Sequence, residues 1–198
     1  MAIAFDSTET GTQDPDLEDL WDGGNLASDT LLRNLLIIAE QDVRSGGLPD
    51  DEGERPAGLL IFDLENQMVS MGFDLVDVEN TDDEPGGVDF FLGLALQGSF
   101  EFKDLMDTGS PVFDPTIEFG NNTANRISAV LLAELDNAVG PVFDRMVFRM
   151  GGSGAIDNVV LATAPEPAAL PLLLIAGALL GCRLRARPEA RRRRVGSA

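Results

Sequence analysis

Oxygen dominates the side chains with which this chain could do chemistry. The sequence holds no His and no Tyr, and its one Cys is Cys182. A Ser-His-Asp or Cys-His arrangement and a His-built zinc site are therefore excluded. Carboxylate remains, with 34 Asp and Glu against 14 Lys and Arg. Loops rich in Asp, Asn and Gly suit calcium, which takes about six to eight oxygen ligands from carboxylates and backbone carbonyls. The candidate ligands are Asp6 at the end of the first expected strand, Asp157 near the start of the last, and Asp14 and Asp16 between them. If the first and last strands run side by side, an ion held by Asp6, Asp14, Asp16 and Asp157 clips one chain end to the other. No EF-hand spacing is present. The competing reading is that all four are solvated groups in a chain that is acidic throughout.

Carboxylate pairs can also cleave sugars, since a glycoside hydrolase needs two of them at a set separation. Acidic residues are so dense here that chance pairs are common, and Trp21 is the one tryptophan available for stacking. A non-catalytic binding or structural module is the leading expectation, with a polysaccharide-acting enzyme as the alternative. Asn121-Asn122-Thr123 fits a glycosylation sequon but reads as a polar turn.

Charge divides the chain. Residues 1–165 carry 7 basic and 32 acidic groups, net −25, while residues 166–198 carry 7 and 2, net +5. So acidic a body repels phosphate, which excludes nucleic acid as a partner. No disulfide is possible with a single Cys, so the fold must stand on packing.

The elements that would position these groups are strands. Leu35 to Ala39 is a short apolar run. Ala57 to Asp63 and Met68 to Glu79 read as a strand pair joined by Leu64 to Gln67, with Val69, Met71, Phe73 and Leu75 on one face and a phase slip, read as a bulge, near Leu75-Val76. Asp77 and Glu79 then point outward. Val88 to Leu96 and Ser99 to Leu105 make a hairpin about Gln97-Gly98, and Thr116 to Phe119, Pro141 to Met150 and Ala155 to Thr163 complete the set. Leu17 to Trp21 and Asp29 to Arg33 have weak helical claims, and Ile127 to Leu135 is ambiguous between helix and strand. The expected fold is all-β, an antiparallel β-sandwich of jelly-roll type over residues 1–163, followed by a single C-terminal hydrophobic helix.

That helix is the apolar run 168–182. At about 1.5 Å per residue it reaches only some 22 Å against a hydrocarbon core of roughly 30 Å, so it is a short membrane span. Pro165-Glu166-Pro167 precedes it in extended form, and Arg183, Arg185, Arg187, Arg191, Arg192, Arg193 and Arg194 follow as a basic stop that holds the C-terminus on the cytoplasmic side. An ordinary tail anchor would share the last two parts. Cys182 serves as apolar filler or as an acylation site. Met1 to Asp6 has neither a basic nor a long apolar region, so no secretory signal peptide is visible there.

Pro165-Glu166-Pro167, the Leu/Ala/Gly-rich segment and the terminal arginines together resemble the PEP-CTERM sorting signal, over residues 164–194. Pro171 within the apolar run, and a basic tail extended around Pro188-Glu189, depart from the usual pattern. The resemblance implies export by a Gram-negative bacterium that makes extracellular polysaccharide. It also implies an exosortase-type membrane enzyme as partner, an inner-membrane-anchored precursor, and a mature form at the cell surface or in the extracellular matrix in association with exopolysaccharide. Gly120 to Ile127, Phe143-Asp144-Arg145 and Gly151 to Asn158 further resemble lectin-like or carbohydrate-binding-module-like sandwiches found on such proteins.

Overall fold

The computed structural model describes residues 1–12, 14–40, 50–51, 54–79 and 85–164. The chain divides into two units, Met1–Ala164 and Pro165–Ala198. The Pro-Glu-Pro motif, the apolar run 168–182, Cys182 and the arginine cluster all lie outside the described residues. Among the described residues no helix is long and apolar enough to cross a membrane.

The first unit is β1 (Ala2–Asp6), β2 (Asn34–Ile38), β3 (Gly58–Val76), β4 (Gly87–Leu92), β5 (Ala95–Glu101), β6 (Ala124–Leu131), β7 (Phe143–Met150) and β8 (Ala155–Thr163). All pair antiparallel in one sheet, ordered β1-β2-β8-β3-β7-β4-β5 with β6 also on β3. The sheet curls into a half-barrel. Helix among the described residues is limited to 3-10 turns at Pro15–Leu17, Phe102–Leu105 and Leu132–Glu134.

The long strand β3 organises the curl. Gly58 to Met68 pairs with β7, whereas Ser70 to Val76 is flanked by β6 and β8. The expected hairpin over residues 57–79 is therefore a single strand of 19 residues. Leu64 to Gln67 contains no Gly or Pro to reverse the chain, so it stays extended, with only a register shift between Asp63 and Met68.

The apparent phase slip at Leu75-Val76 has a packing cause. Leu75 lies in the main core with Phe73, Phe90, Phe143 and Phe148. Val76 lies in a second core with Phe5, Leu17, Trp21, Leu35 and Ile37. The strand is buried on both faces there, so apolar residues need not alternate. β2 behaves likewise, with Leu35 and Ile37 in the second core and Leu36 and Ile38 against the first. Asp77 is not an outward strand residue. Its φ of 56° ends β3, and it is 3% exposed.

Three further expectations are corrected. The β4–β5 hairpin turns at Gly93-Leu94, where Gly93 has φ of 60° and donates its N–H to Asp144 Oδ1 at 2.8 Å. Gly98 is a packing glycine instead, since a Cβ there would meet Leu132 Cδ1 at 2.8 Å. Thr116 to Phe119 is irregular, and Asp29 to Arg33 is not helical. The ambiguous stretch resolves as strand to Leu131 followed by a 3-10 turn, because Ile127 and Val130 reach the core through a register shift opposite Met71 and Phe73.

With no disulfide in the body, aromatic packing carries the main core. Phe73 and Phe148 meet edge to face at 5.0 Å, and Phe90 and Phe143 lie 4.8 Å apart. Burial of each such ring contributes roughly 2–3 kcal/mol. Both faces of the sheet thus carry buried apolar side chains.

Candidate metal centre

The ends of β2, β3 and β8 meet at one edge of the half-barrel, and three loops deliver carboxylates there. Asp14 precedes the 3-10 turn Pro15–Leu17, its backbone N–H held by Thr12 Oγ1 at 3.2 Å. Asp50 and Asp51 follow β2, tied to it by the Ala39–Asp51 bridge and by the Glu40 N–H donating to Asp50 O at 3.0 Å. Asp77 leaves β3 in a left-handed conformation that turns its carboxylate back to accept the Asn122 N–H at 2.8 Å.

These groups are interlocked. The Asp51 N–H donates to Asp14 Oδ2 at 3.4 Å, and Asp51 Oδ2 accepts the N–H of Gly154 at the start of β8. Asn122, through Nδ2, donates to Glu18 O at 2.9 Å and so fixes the loop carrying Asp14 and Asp16 against the loop below Asp77. One carboxylate oxygen from each of Asp14, Asp50 and Asp51 lies within 4.8 Å of the others.

The electrostatics are unfavourable without a counter-charge. Two full charges about 4.8 Å apart repel by roughly 3–4 kcal/mol at an effective dielectric constant near 20. Burial pushes the Asp51 carboxyl up to about 8, and the Asp14 charge adds to the push. Burial likewise pushes Asp77 up to about 8, helped by Asp51, Asp16 and Asp14. Asp14 is raised as well, first by burial. The ion pairs Lys103–Glu101, Arg126–Asp74, Arg145–Asp63 and Arg149–Asp89 involve none of these three carboxylates. A bound cation would offset their repulsion.

The donor set fits a hard divalent cation. Every candidate ligand atom is a carboxylate oxygen, and two oxygens on opposite sides of calcium, each about 2.4 Å away, stand about 4.8 Å apart. These carboxylates are also closer than the roughly 5–5.5 Å of a retaining glycosidase pair, with Asp14 and Asp51 buried and Asp50 half-buried.

No protein-family model matches this chain, and no curated protein matches it significantly.

Of the four expected ligands, the structure brings two to this edge. Asp14 is a member of the cluster, and the Asp16 charge adds to the rise of its carboxyl. Asp6 does not join, because its Oδ1 accepts both the N–H and the hydroxyl of Thr8, at 3.0 and 2.7 Å. Those bonds hold its carboxyl below the usual range. Asp157 lies opposite Asp74 on β3, near Arg126. The premise that brought the four together also fails, since β2 lies between β1 and β8. Sequence reasoning missed Asp50, Asp51 and Asp77. The adjacent pair Asp50-Asp51 before a strand was the available signal; Asp77 offered none while it read as a solvent-facing strand residue.

Proposed function

We propose that this chain is an exported, non-catalytic surface or matrix module whose domain is closed by calcium at Asp14, Asp50 and Asp51. The observation that carries the calcium reading is the approach of three carboxylate oxygens to within 4.8 Å at a partly buried site. A cation there joins the loop after β1, the loop after β2 and, through Gly154, the start of β8. It acts as a staple in a fold that has no disulfide. An extracellular setting, rich in calcium, makes such a staple permanent. The curled sheet with its two cores is consistent with a jelly-roll-type sandwich.

The sorting part of the proposal rests on the order of Pro165-Glu166-Pro167, the apolar run 168–182 and the arginines 183–194. In this reading an exosortase-type enzyme processes the precursor near Pro165, and the released or re-anchored domain associates with exopolysaccharide. Intact-mass measurement on surface protein from a host with exosortase tests it. Mature protein lacking Cys182 and the arginines is expected, and replacement of residues 165–167 by alanine should stop maturation but leave insertion. Surface protein that still ends at Ala198 contradicts it. Isothermal titration of the full chain with calcium tests the staple, with proton release on binding expected at pH 7.

A further inference from the structure

We propose that the groove straddling Arg126, on the outer face of β3, β6 and β8, binds a neutral glycan chain; this deepens the polysaccharide association proposed above and rests on it. Phe73 and Leu75 point into the main core, so Asp74 between them faces outward. It is nevertheless fully buried, under the Arg126 side chain. Arg126 Nε and Nη2 bind Asp74 Oδ1 and Oδ2 at 2.8 and 2.7 Å, and Asn158 Nδ2 donates to Oδ2 at 2.7 Å.

The pair alone would be a structural cross-strand bridge. Its surroundings go further. Arg126 is clamped from the other side by Asn25, whose Oδ1 accepts the Arg126 N–H at 2.6 Å and whose Nδ2 donates to its carbonyl at 3.0 Å. The Asp74 bonds hold the guanidinium in place, while the side chain stays 55% exposed. On one side lies a groove of about 430 Å³ with Gly72 in its lining, where a Cβ would meet Ile127 O at 3.0 Å, and with Val160 67% exposed at its rim. On the other lies a shallower groove bordered by Asp114 and Thr116, with Ser128 lining both.

The strip combines exposed apolar surface at Val160, the half-exposed Arg126 guanidinium and the hydroxyls of Ser128 and Thr116. A sugar ring has the matching parts, a C–H face and vicinal hydroxyls that both accept and donate. Preorganisation matters because side chains already held in place lose little freedom on binding. Charge selects the glycan class. Arg126 is neutralised by Asp74, and Asp157 and Asp114 leave the strip net negative, so a uronate polymer is repelled and a neutral one is not.

Affinity electrophoresis of the full-length chain in detergent, through gels containing dextran, galactomannan or alginate, tests the assignment. Retardation by a neutral polymer, none by alginate, is expected. Ser128→Trp, which fills the groove from an exposed position on β6, should abolish the retardation at unchanged melting temperature. Leu94→Trp, on a turn where residue 94 is 90% exposed, should not. Retardation that survives Ser128→Trp overturns the groove while leaving polysaccharide association in place. Retardation by alginate overturns the choice of a neutral glycan. Absence of retardation in all three gels overturns both the groove and the association.

Discussion

The backbone N–H of Gly154 donates to a carboxylate oxygen of Asp51, across 103 positions of sequence. The contact places an acid from the loop after β2 on the first turn of β8. It requires Gly154, because φ there is +133° and a Cβ would meet Val76 O at 3.0 Å and Met150 Cε and Val78 Cγ2 at 3.3 Å.

Gly154→Ala should therefore destabilise the domain by roughly 1–3 kcal/mol, through backbone strain and crowding. For a domain of this size that lowers the melting temperature by about 2–10 °C. It should also weaken calcium binding, since Asp51 loses its anchor. Differential scanning calorimetry with and without calcium separates the two effects.

The raised carboxyls make stability depend on pH in an unusual direction. Asp51 and Asp77 sit at about 8 in the folded protein, against an ordinary value of 3.8. The folded state binds protons more tightly than the unfolded one. Their contribution is thus fully present below the ordinary carboxylate range and is lost as pH rises through about 8. In chelator, the melting temperature should fall between about pH 5 and pH 9. In saturating calcium, which binds the ionised form, the fall should flatten or reverse. A melting temperature that rises with pH in chelator contradicts the raised values.

Three residues before Asp77, on the C-terminal half of β3, the buried Asp74 carboxylate depends on Arg126. Arg126→Met leaves that charge without its main partner, a change that costs about 3–5 kcal/mol at a fully buried pair. The low end applies here, because the arginine is half exposed. Asp74→Asn in the same chain should recover most of the loss. Urea unfolding of the single and double variants checks this, and equal destabilisation by both would contradict it.

How much of this could be read from the sequence follows from how each residue is buried. β8 was legible with its bounds, Ala155 to Thr163, because beyond Asp157 one face is exposed and the pattern alternates. β2 was legible as an unbroken apolar run because both its faces are covered. The same two-sided burial disguised the end of β3, where Val76 and Asp77 mimicked a bulge. The metal edge was half legible. Asp14 and Asp16 stood out by spacing, but Asp51 and Asp77 are recruited by Gly154 and Asn122, contacts that span 103 and 45 positions and leave no local trace.

The most direct test of the calcium staple is the thermal melting of wild type and Asp51→Asn at pH 8, each in millimolar calcium and in chelator. Asparagine keeps an oxygen for the Gly154 N–H but carries no charge. Wild type should gain some 2.7 kcal/mol at about a hundred times the dissociation constant, a rise of about 5–10 °C. Asp51→Asn should melt higher than wild type in chelator, because a buried charge has been removed, and should no longer respond to calcium. A calcium response of undiminished size in Asp51→Asn, or a wild type indifferent to calcium, would contradict the account.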